Sequence, residues 1–384
     1  MTGFYGALLA IGALAFLFPY AIYPFLLLLR PRRFAVGQAP PPAAWPSVSA
    51  IVAVFNGAGR IGAKIAELRR LDYPGRVEVI VADDGSDDGT AAAAEAAGAD
   101  RVVRLPERGG KSAAQNAGVA AAAGEVLLFT DLAVIVQPDA LRLLIAELSA
   151  PGVGCVTGVD RSVAAGPADP AQGAGWYTRF ETGVRWREAE TGTLLGVNGC
   201  LFVVRKEHRP PVPGACVDDL YVPLAVNDRG LRVTVHPAAE AIVPRTKSLR
   251  EEFRRRARTF AGGLFTLHAA GRDLPRAVRR LRGRLWGHKR LRWLGPWLIL
   301  LALYGSMGLA LRWPPGWIFV IVEALAMGAA LAGLVWTAGG GRPPRPLRLP
   351  AFLLLSQAAL AWAWVRFALG RPYVVWRPTR REQA

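Results

Sequence analysis

The sequence predicts an α/β fold, a mostly parallel sheet covered by helices on both faces, held between N- and C-terminal transmembrane helices. Short apolar runs of strand length alternate with helical stretches through the middle of the chain, and acidic residues close two of those runs. The longest apolar segments lie at the two ends. Strands that alternate with helices imply a mostly parallel sheet, because each parallel crossover needs a covering element.

Residues 4–29 run almost without a polar group, beyond the roughly 20 residues that cross a bilayer. A signal peptide would want a basic start and a small-residue cleavage site, and neither is present. The run ends in Arg30, Arg32 and Arg33, which hold the next residues in the cytoplasm and the N-terminus outside. A Pro-rich linker, residues 37–46, leads into the soluble pattern. Val48–Val54, Val77–Ala82, Val102–Leu105 and Val126–Thr130 read as strands, and residues 58–71, 88–97 and 111–123 as the intervening helices. Ligands bind such sheets at the carboxyl ends of the strands, where Asp83, Asp84 and Asp131 stand. From 151 to 245 the pattern is less regular, with apolar runs at Gly196–Val204, Asp218–Val226 and Leu231–Val235. In 274–292, Leu274, Val278, Leu281 and Leu285 recur at helical spacing with arginines between them, the signature of an amphipathic helix in the membrane interface. Apolar segments come next at 294–311, 316–337 and 350–369, each near spanning length. Three crossings place the tail outside, whereas its basic composition favours the inside.

Net charge is +18 with hydrophobic residues at 52%, and mean hydropathy is +0.25. Residues 245–293 hold sixteen Lys/Arg against three Asp/Glu directly before an apolar run. Basic blocks placed there meet anionic lipid. No zinc-finger spacing or aromatic RNA-binding motif accompanies them, so nucleic acid is not an expected partner. Cys155, Cys200 and Cys216 have no metal-like spacing and read as small apolar residues in a reducing compartment.

Five stretches carry chemistry: Val52–Asn56, VADDGSDDGT (81–90), GGKSAAQNAG (109–118), FTDLAV (129–134) and VDDLYVPLAVNDRGLRV (217–233). Asp83 and Asp84 offer carboxylate acceptors for base or ribose. Asp87 and Asp88 also precede a helix, so the run alone fits an acidic helix cap as well. Lys111 follows two glycines and opens a helix, a place suited to phosphate. A P-loop would need glycine at 105, where the chain has Leu105.

In order and spacing, over residues 47–265, these stretches resemble the family 2 glycosyltransferases of the Rossmann-like GT-A fold. The flanking apolar segments resemble the membrane-anchored branch that includes polysaccharide synthases. The resemblance implies a nucleotide-sugar donor (a UDP-sugar by default), Mg²⁺ or Mn²⁺, and a lipid-linked or glycan acceptor. It implies Asp83, Asp84, Lys111 and Asn116 as nucleotide contacts. Asp131 stands where the family has its metal-binding D-x-D, here Asp131-Leu132-Ala133 with the second carboxylate missing. Mg²⁺ often takes only one or two protein carboxylates. Asp218 and Asp219 match the family's acidic pair, with Asp219 as general base; a helix cap before Leu220–Val226 is the structural alternative. Gly196, Asn198 and Gly199 match the acceptor loop. Where processive members carry QxxRW, the chain has Arg255-Arg256-Ala257-Arg258-Thr259, which keeps Arg258 as a diphosphate clamp and lacks the Trp. The tail 375–380 resembles a W-x-P-T-x-R stretch, by analogy a gating loop or, alternatively, an interfacial anchor.

The expected layout is a transmembrane helix at 4–29, a GT-A domain at 44–265, an interface helix at 270–292, about three apolar segments in 294–370 and a basic tail at 371–384. The expected protein is a multi-pass enzyme of the plasma (inner) membrane with a cytoplasmic catalytic domain. It is expected to perform inverting glycosyl transfer. A processive synthase and a non-catalytic membrane scaffold are the alternatives.

Overall fold

The computed structural model describes residues 1–163, 174–244 and 248–375. Helix α1 (Thr2–Leu17) and helix α2 (Ile22–Leu28) form the N-terminal apolar pair. The α/β domain begins with β1 (Val48–Val54), α3 (Ala58–Arg69), β2 (Val77–Asp83), α4 (Thr90–Ala96), β3 (Arg101–Arg104), α5 (Lys111–Ala121) and β4 (Val126–Thr130). Then come β5 (Ile135–Val136), α6 (Ala140–Leu148), β6 (Val153–Val163), α7 (Ala174–Thr191), β7 (Leu201–Arg205), α8 (Asp218–Asp228) and β8 (Arg232–Pro244). Helices α9 (Leu249–Asp273) and α10 (Pro275–Arg280) lead to the C-terminal helices Arg282–Trp293, Gly295–Ala310, Trp317–Ala338 and Arg345–Ala368.

Among the described residues the sheet has eight strands in the order β3-β2-β1-β4-β7-β6-β8-β5. Strands β3, β2, β1 and β4 are parallel, in the register Val48↔Val77 and Val48↔Val126. All seven residues of β1 are buried, as expected of a parallel strand covered on both faces. The mostly parallel expectation holds only for this half. Beyond β4 the sheet is mixed: β7 runs antiparallel to both β4 and β6, and β5 antiparallel to β8. Phe129 of β4 stacks on Phe202 of β7 at 4.8 Å, joining the two halves.

The apolar ends differ from expectation in their breaks. The 4–29 run is two helices bent by 50°, and Arg282–Trp293 meets Gly295–Ala310 at 66°. Two helices, Pro314–Ala338 and Arg345–Ala368, are long and apolar enough to cross a membrane, or up to four if each bent pair is one span. Glycines let α1 lie against Gly295–Ala310: a Cβ on Gly12 would meet the backbone of Ala302 at 2.8 Å.

The 270–292 segment is also corrected. Helix α9 continues to Asp273, past the expected boundary at 265. Leu274, Leu281 and Leu285 are buried in one cluster with Leu224 and Ala225 of α8. The amphipathic stripe therefore faces protein, with α8 supplying part of the apolar surface that covers it.

A buried polar network ties the N-terminal pair to the domain. His288 bridges Glu188 and Glu181 through its two ring nitrogens, at 2.9 and 2.8 Å. The Tyr23 hydroxyl donates to Glu188. Arg187 donates to the Leu27, Leu28 and Arg30 carbonyls at the end of α2, at 3.0, 2.9 and 2.8 Å. The last carbonyls of a helix lack a full set of backbone donors, so a guanidinium suits this end of α2. Tyr23→Phe is expected to cost about 1.5–3 kcal/mol, the range for a hydrogen bond to a charged group. A thermal melt in detergent checks this, and an unchanged midpoint would show that the network does not anchor α2.

Candidate active site

A cleft of about 390 Å³ opens at the carboxyl ends of β1 and β4 and is bordered by Lys111, Asp131, Asp218, Asp219, Arg255 and Arg258 among others. Lys111 opens α5 and points across it. Its Nζ lies 3.0 Å from Asp131 Oδ1 and 3.6 Å from Asp218 Oδ2. Burial pulls the ammonium's pKa down, but the Asp131 and Asp218 carboxylates outweigh that and hold the proton more tightly than on a free lysine. The turn carrying Asp131 is stitched from behind by buried Lys64, which donates to Thr130 Oγ1 at 3.3 Å and to the Val134 carbonyl at 2.7 Å.

Asp218 and Asp219 form the first turn of α8, where carboxylates meet the positive helix end. They diverge. Asp218 accepts from Gln115 Nε2 at 2.8 Å and turns to Lys111. Asp219 faces the 196–199 loop, and a Cβ on Gly199 would sit 3.2 Å from its Oδ2. Burial and the Asp218 charge raise the Asp219 carboxyl to about 6, against the pull of Lys111, Lys289 and Arg185. A carboxylate poised there can take a proton near neutral pH. In the same loop, Gly196 takes a hydrogen bond on its carbonyl from Arg185 Nη2 at 3.1 Å. Asn198 is tied to Asp160 through Nδ2, and its Oδ1 accepts from the Cys200 N–H at 3.1 Å. Asn198 and Gly199 border the cleft.

Three sequence-derived positions lie elsewhere. Asp83 and Asp84 are buried behind the cleft. Asp83 Oδ1 accepts from the Ser86 N–H at 3.0 Å and from its hydroxyl. Asp84 Oδ1 accepts from the Gly109 and Gly110 N–H groups, each at 2.8 Å. The glycine amides expected to meet phosphate are thus already held by a carboxylate of this chain. Each aspartate keeps one buried oxygen, Oδ2, without a hydrogen bond, and burial raises the Asp84 carboxyl against the pull of the two glycine N–H groups. Asn116 turns away to the 209–212 segment: its Nδ2 donates to the Val212 carbonyl at 2.9 Å, and its Oδ1 accepts from Val212 N–H at 3.0 Å and from Arg209. With amide and carbonyl both engaged, it does not reach the cleft.

Sequence reasoning missed Gln115, Asp160, Arg185 and Cys200. Gln115 was findable, since it stands four residues after Lys111 and so on the same helix face. Asp160 and Arg185 come from irregular stretches with no local signal. Arg255 is bidentate to Glu252, at 2.9 and 2.7 Å, while Arg256 reaches Ser356 at 3.1 Å on the last helix. Arg258 shares the cleft wall with Arg255 and Thr259. Tyr373 and Val374 also border the cleft; Trp376–Arg380 of the gating analogy lie outside the described residues. Gly110 has φ +86°, and a Cβ there would meet the Val374 carbonyl oxygen at 2.0 Å. Gly110→Ala is expected to destabilise by about 1–2 kcal/mol from the left-handed backbone alone and to displace residues 373–374. Protease accessibility of the tail measures that displacement, and an unchanged digestion pattern would show that the contact does not hold the tail.

A model of the family described as Glycosyl transferase family 2 matches residues 49–206. An N-acetylglucosaminyltransferase of Rhizobium leguminosarum bv. trifolii is 33% identical over 141 residues, covering 35% of this chain and 74% of that protein. One of Mesorhizobium japonicum (strain LMG 29417 / CECT 9101 / MAFF 303099) is 34% identical over 128 residues, and the match spans 32% of this chain but only 30% of the relative's length. A mannosyltransferase from Pyrobaculum calidifontis, solved with GDP-Man and Mn²⁺, superposes with a TM-score of 0.71 at 24% identity, covering 96% of this chain and 99% of that one. At that identity the likeness concerns the fold, an α/β Rossmann-like GT-A fold.

Proposed function

The chain belongs to glycosyl transferase family 2, and from that premise we propose that it is an inverting, membrane-bound enzyme moving a sugar from a nucleotide diphosphate donor to a lipid-linked or membrane-proximal glycan acceptor. The observation that carries this reading is the meeting of Lys111, Asp131, Asp218 and Asp219 in one cleft, with Lys111 within 3.6 Å of both Asp131 and Asp218. Asp219 is the base. It takes the proton of the acceptor hydroxyl as that oxygen forms its bond to the anomeric carbon. The bond from that carbon to the diphosphate oxygen breaks, and the nucleotide diphosphate leaves with the electron pair. Lys111 and Arg258 carry positive charge to the leaving group. The N-acetylglucosaminyltransferase relatives favour an N-acetylglucosamine donor carried on UDP.

Among the described residues no cluster of three His, Cys, Asp or Glu could hold a metal unaided. Asp131 supplies a hard carboxylate oxygen beside the expected diphosphate, which fits Mg²⁺ or Mn²⁺ held by one carboxylate and phosphate oxygens. When bound, such an ion neutralises charge on the leaving diphosphate. The bent and straight apolar helices favour a multi-pass plasma-membrane protein with its catalytic domain in the cytoplasm.

The test is release of nucleotide diphosphate by the purified protein in nanodiscs across UDP- and GDP-sugars, with Mg²⁺ or Mn²⁺ and native lipids. Release with one donor is the expected result. If no donor binds by calorimetry, the reading is wrong and the non-catalytic scaffold takes its place.

A further inference from the structure

Asn116 stands in the stretch that pointed to nucleotide contact, yet its amide is engaged elsewhere. It holds residues 209–217, which belong to no helix or strand and end where α8 begins with Asp218 and Asp219. This segment opens Arg209-Pro210-Pro211-Val212-Pro213. Proline has no N–H, so Val212 is the one residue from 210 to 213 whose backbone offers both a donor and an acceptor. Asn116 takes both: Nδ2 donates to the Val212 carbonyl at 2.9 Å, and Oδ1 accepts from the Val212 N–H at 3.0 Å. Two hydrogen bonds from one planar amide fix orientation as well as distance.

Two neighbours on α5 extend the grip. Ser112 Oγ donates to the Cys216 carbonyl at 2.9 Å, and Gln115 Nε2 to Asp218 Oδ2 at 2.8 Å. Positions 112, 115 and 116 are spaced i, i+3 and i+4, which places them on one face of the helix. Ser112 and Gln115 are 8% and 3% exposed, so their bonds are shielded from water and costly to leave unmade. The segment is thus held at Val212, at Cys216 and at the first residue of α8, all from one helix. That helix opens with Lys111, whose Nζ lies 3.0 Å from Asp131 and 3.6 Å from Asp218. One rigid element therefore carries both the cation on the donor side and the ties that locate the acidic pair.

We propose that Asn116 and Ser112 are positioning residues for Asp219: they fix the 209–217 segment on α5 and so set the base at a constant distance from Lys111. This rests on the glycosyl-transfer reading, and it assigns Asn116 to the base rather than to the nucleotide. A base must stand within hydrogen-bond reach of the acceptor hydroxyl, and a displacement of about 1 Å costs on the order of 10²-fold in rate.

The test uses full-length protein in nanodiscs. Asn116→Ala, Ser112→Ala and Asp219→Asn are compared singly, and each alanine variant is combined with Asp219→Asn. kcat is read from release of nucleotide diphosphate, and affinity for UDP and GDP from calorimetry. Asn116→Ala is expected to lower kcat by about 10–100-fold with nucleotide affinity unchanged. Ser112→Ala is expected to lower it by about 3–10-fold, the weight of one hydrogen bond. In the Asp219→Asn background each is expected to cost less than about twofold, because residues acting through one group are not additive. A residue that merely supports the fold lowers the rate by the same factor in both backgrounds. Ser112→Ala removes only a hydroxyl, so it closes the cycle even if Asn116→Ala does not fold. Equal losses in the two backgrounds would overturn the proposal. A fall in nucleotide affinity with Asn116→Ala at an unchanged thermal midpoint would also overturn it and return the residue to the nucleotide. A parent that turns over no donor would overturn the glycosyl-transfer reading and the positioning role together. Equal losses in a parent that does turn over would overturn the positioning role alone, so the two failures are distinguishable.

Discussion

Replacing Asp219 by Asn is expected to lower kcat by about 10²–10⁴-fold, the usual contribution of a positioned general base. The amide keeps the shape of the carboxylate, so the close packing on Gly199, where a Cβ would lie 3.2 Å from Oδ2, is preserved. The variant loses the ability to take a proton. Donor affinity should hold or improve, because one negative charge leaves the neighbourhood of a diphosphate. In the parent enzyme, burial and Asp218 hold the Asp219 carboxyl at about 6. Activity is therefore expected to be full above that pH and to fall tenfold per pH unit below it, as the base becomes protonated. The variant should lose this limb along with its rate. Rates of nucleotide diphosphate release against pH, for both proteins, decide the matter. A variant that keeps the parent's rate would remove Asp219 from the chemistry.

Lys111→Met is expected to be nearly as damaging, at about 10²–10³-fold in kcat, the loss typical when one stabilising donor to a developing anion is removed. The ammonium does two things in the structure. It lies within 3.6 Å of both Asp131 and Asp218, and its charge lowers the Asp219 carboxyl. Without it, Asp131, Asp218 and Asp219 face the donor diphosphate with one cation fewer, so donor affinity falls as well. The pH dependence shifts in a definite direction. With a cation removed, the carboxylate form of Asp219 is less favoured, its pKa rises, and the acidic limb moves to higher pH. Lys111→Arg, which keeps the charge, should leave the limb near its original place. If Lys111→Met loses rate but its pH limb does not move, the lysine acts on the donor alone and not through Asp219.

The sequence by itself determined the first half of the sheet. Val48–Val54 and Val126–Thr130 form strands at the expected residues, because a run of β-branched and apolar residues bounded by turn signals has few other solutions. The strand ends, and with them Asp83 and Asp131, came from the same local pattern. Lys111 at the start of a helix was equally legible from the two glycines before it.

Only the tertiary structure decided which faces meet. Local periodicity states that the stripe Leu274, Leu281 and Leu285 must be covered; it does not say by what, and α8 supplies part of the cover. Motif position selected Asn116, whereas the fold turns Asn116 to the 209–212 segment and Gln115 to Asp218. The pairing of Asp84 with the Gly109 and Gly110 amides and the return of Tyr373 and Val374 to the cleft depend on chain segments meeting from separate elements. A small cavity beside Asp219, lined by residues of α7, α8, α9 and the helix Arg282–Trp293, is of the same kind. A side chain's period is set by its immediate neighbours and so is written in the sequence. Its partner is set by where the chain returns after tens to hundreds of residues, and the packing of the whole core fixes that.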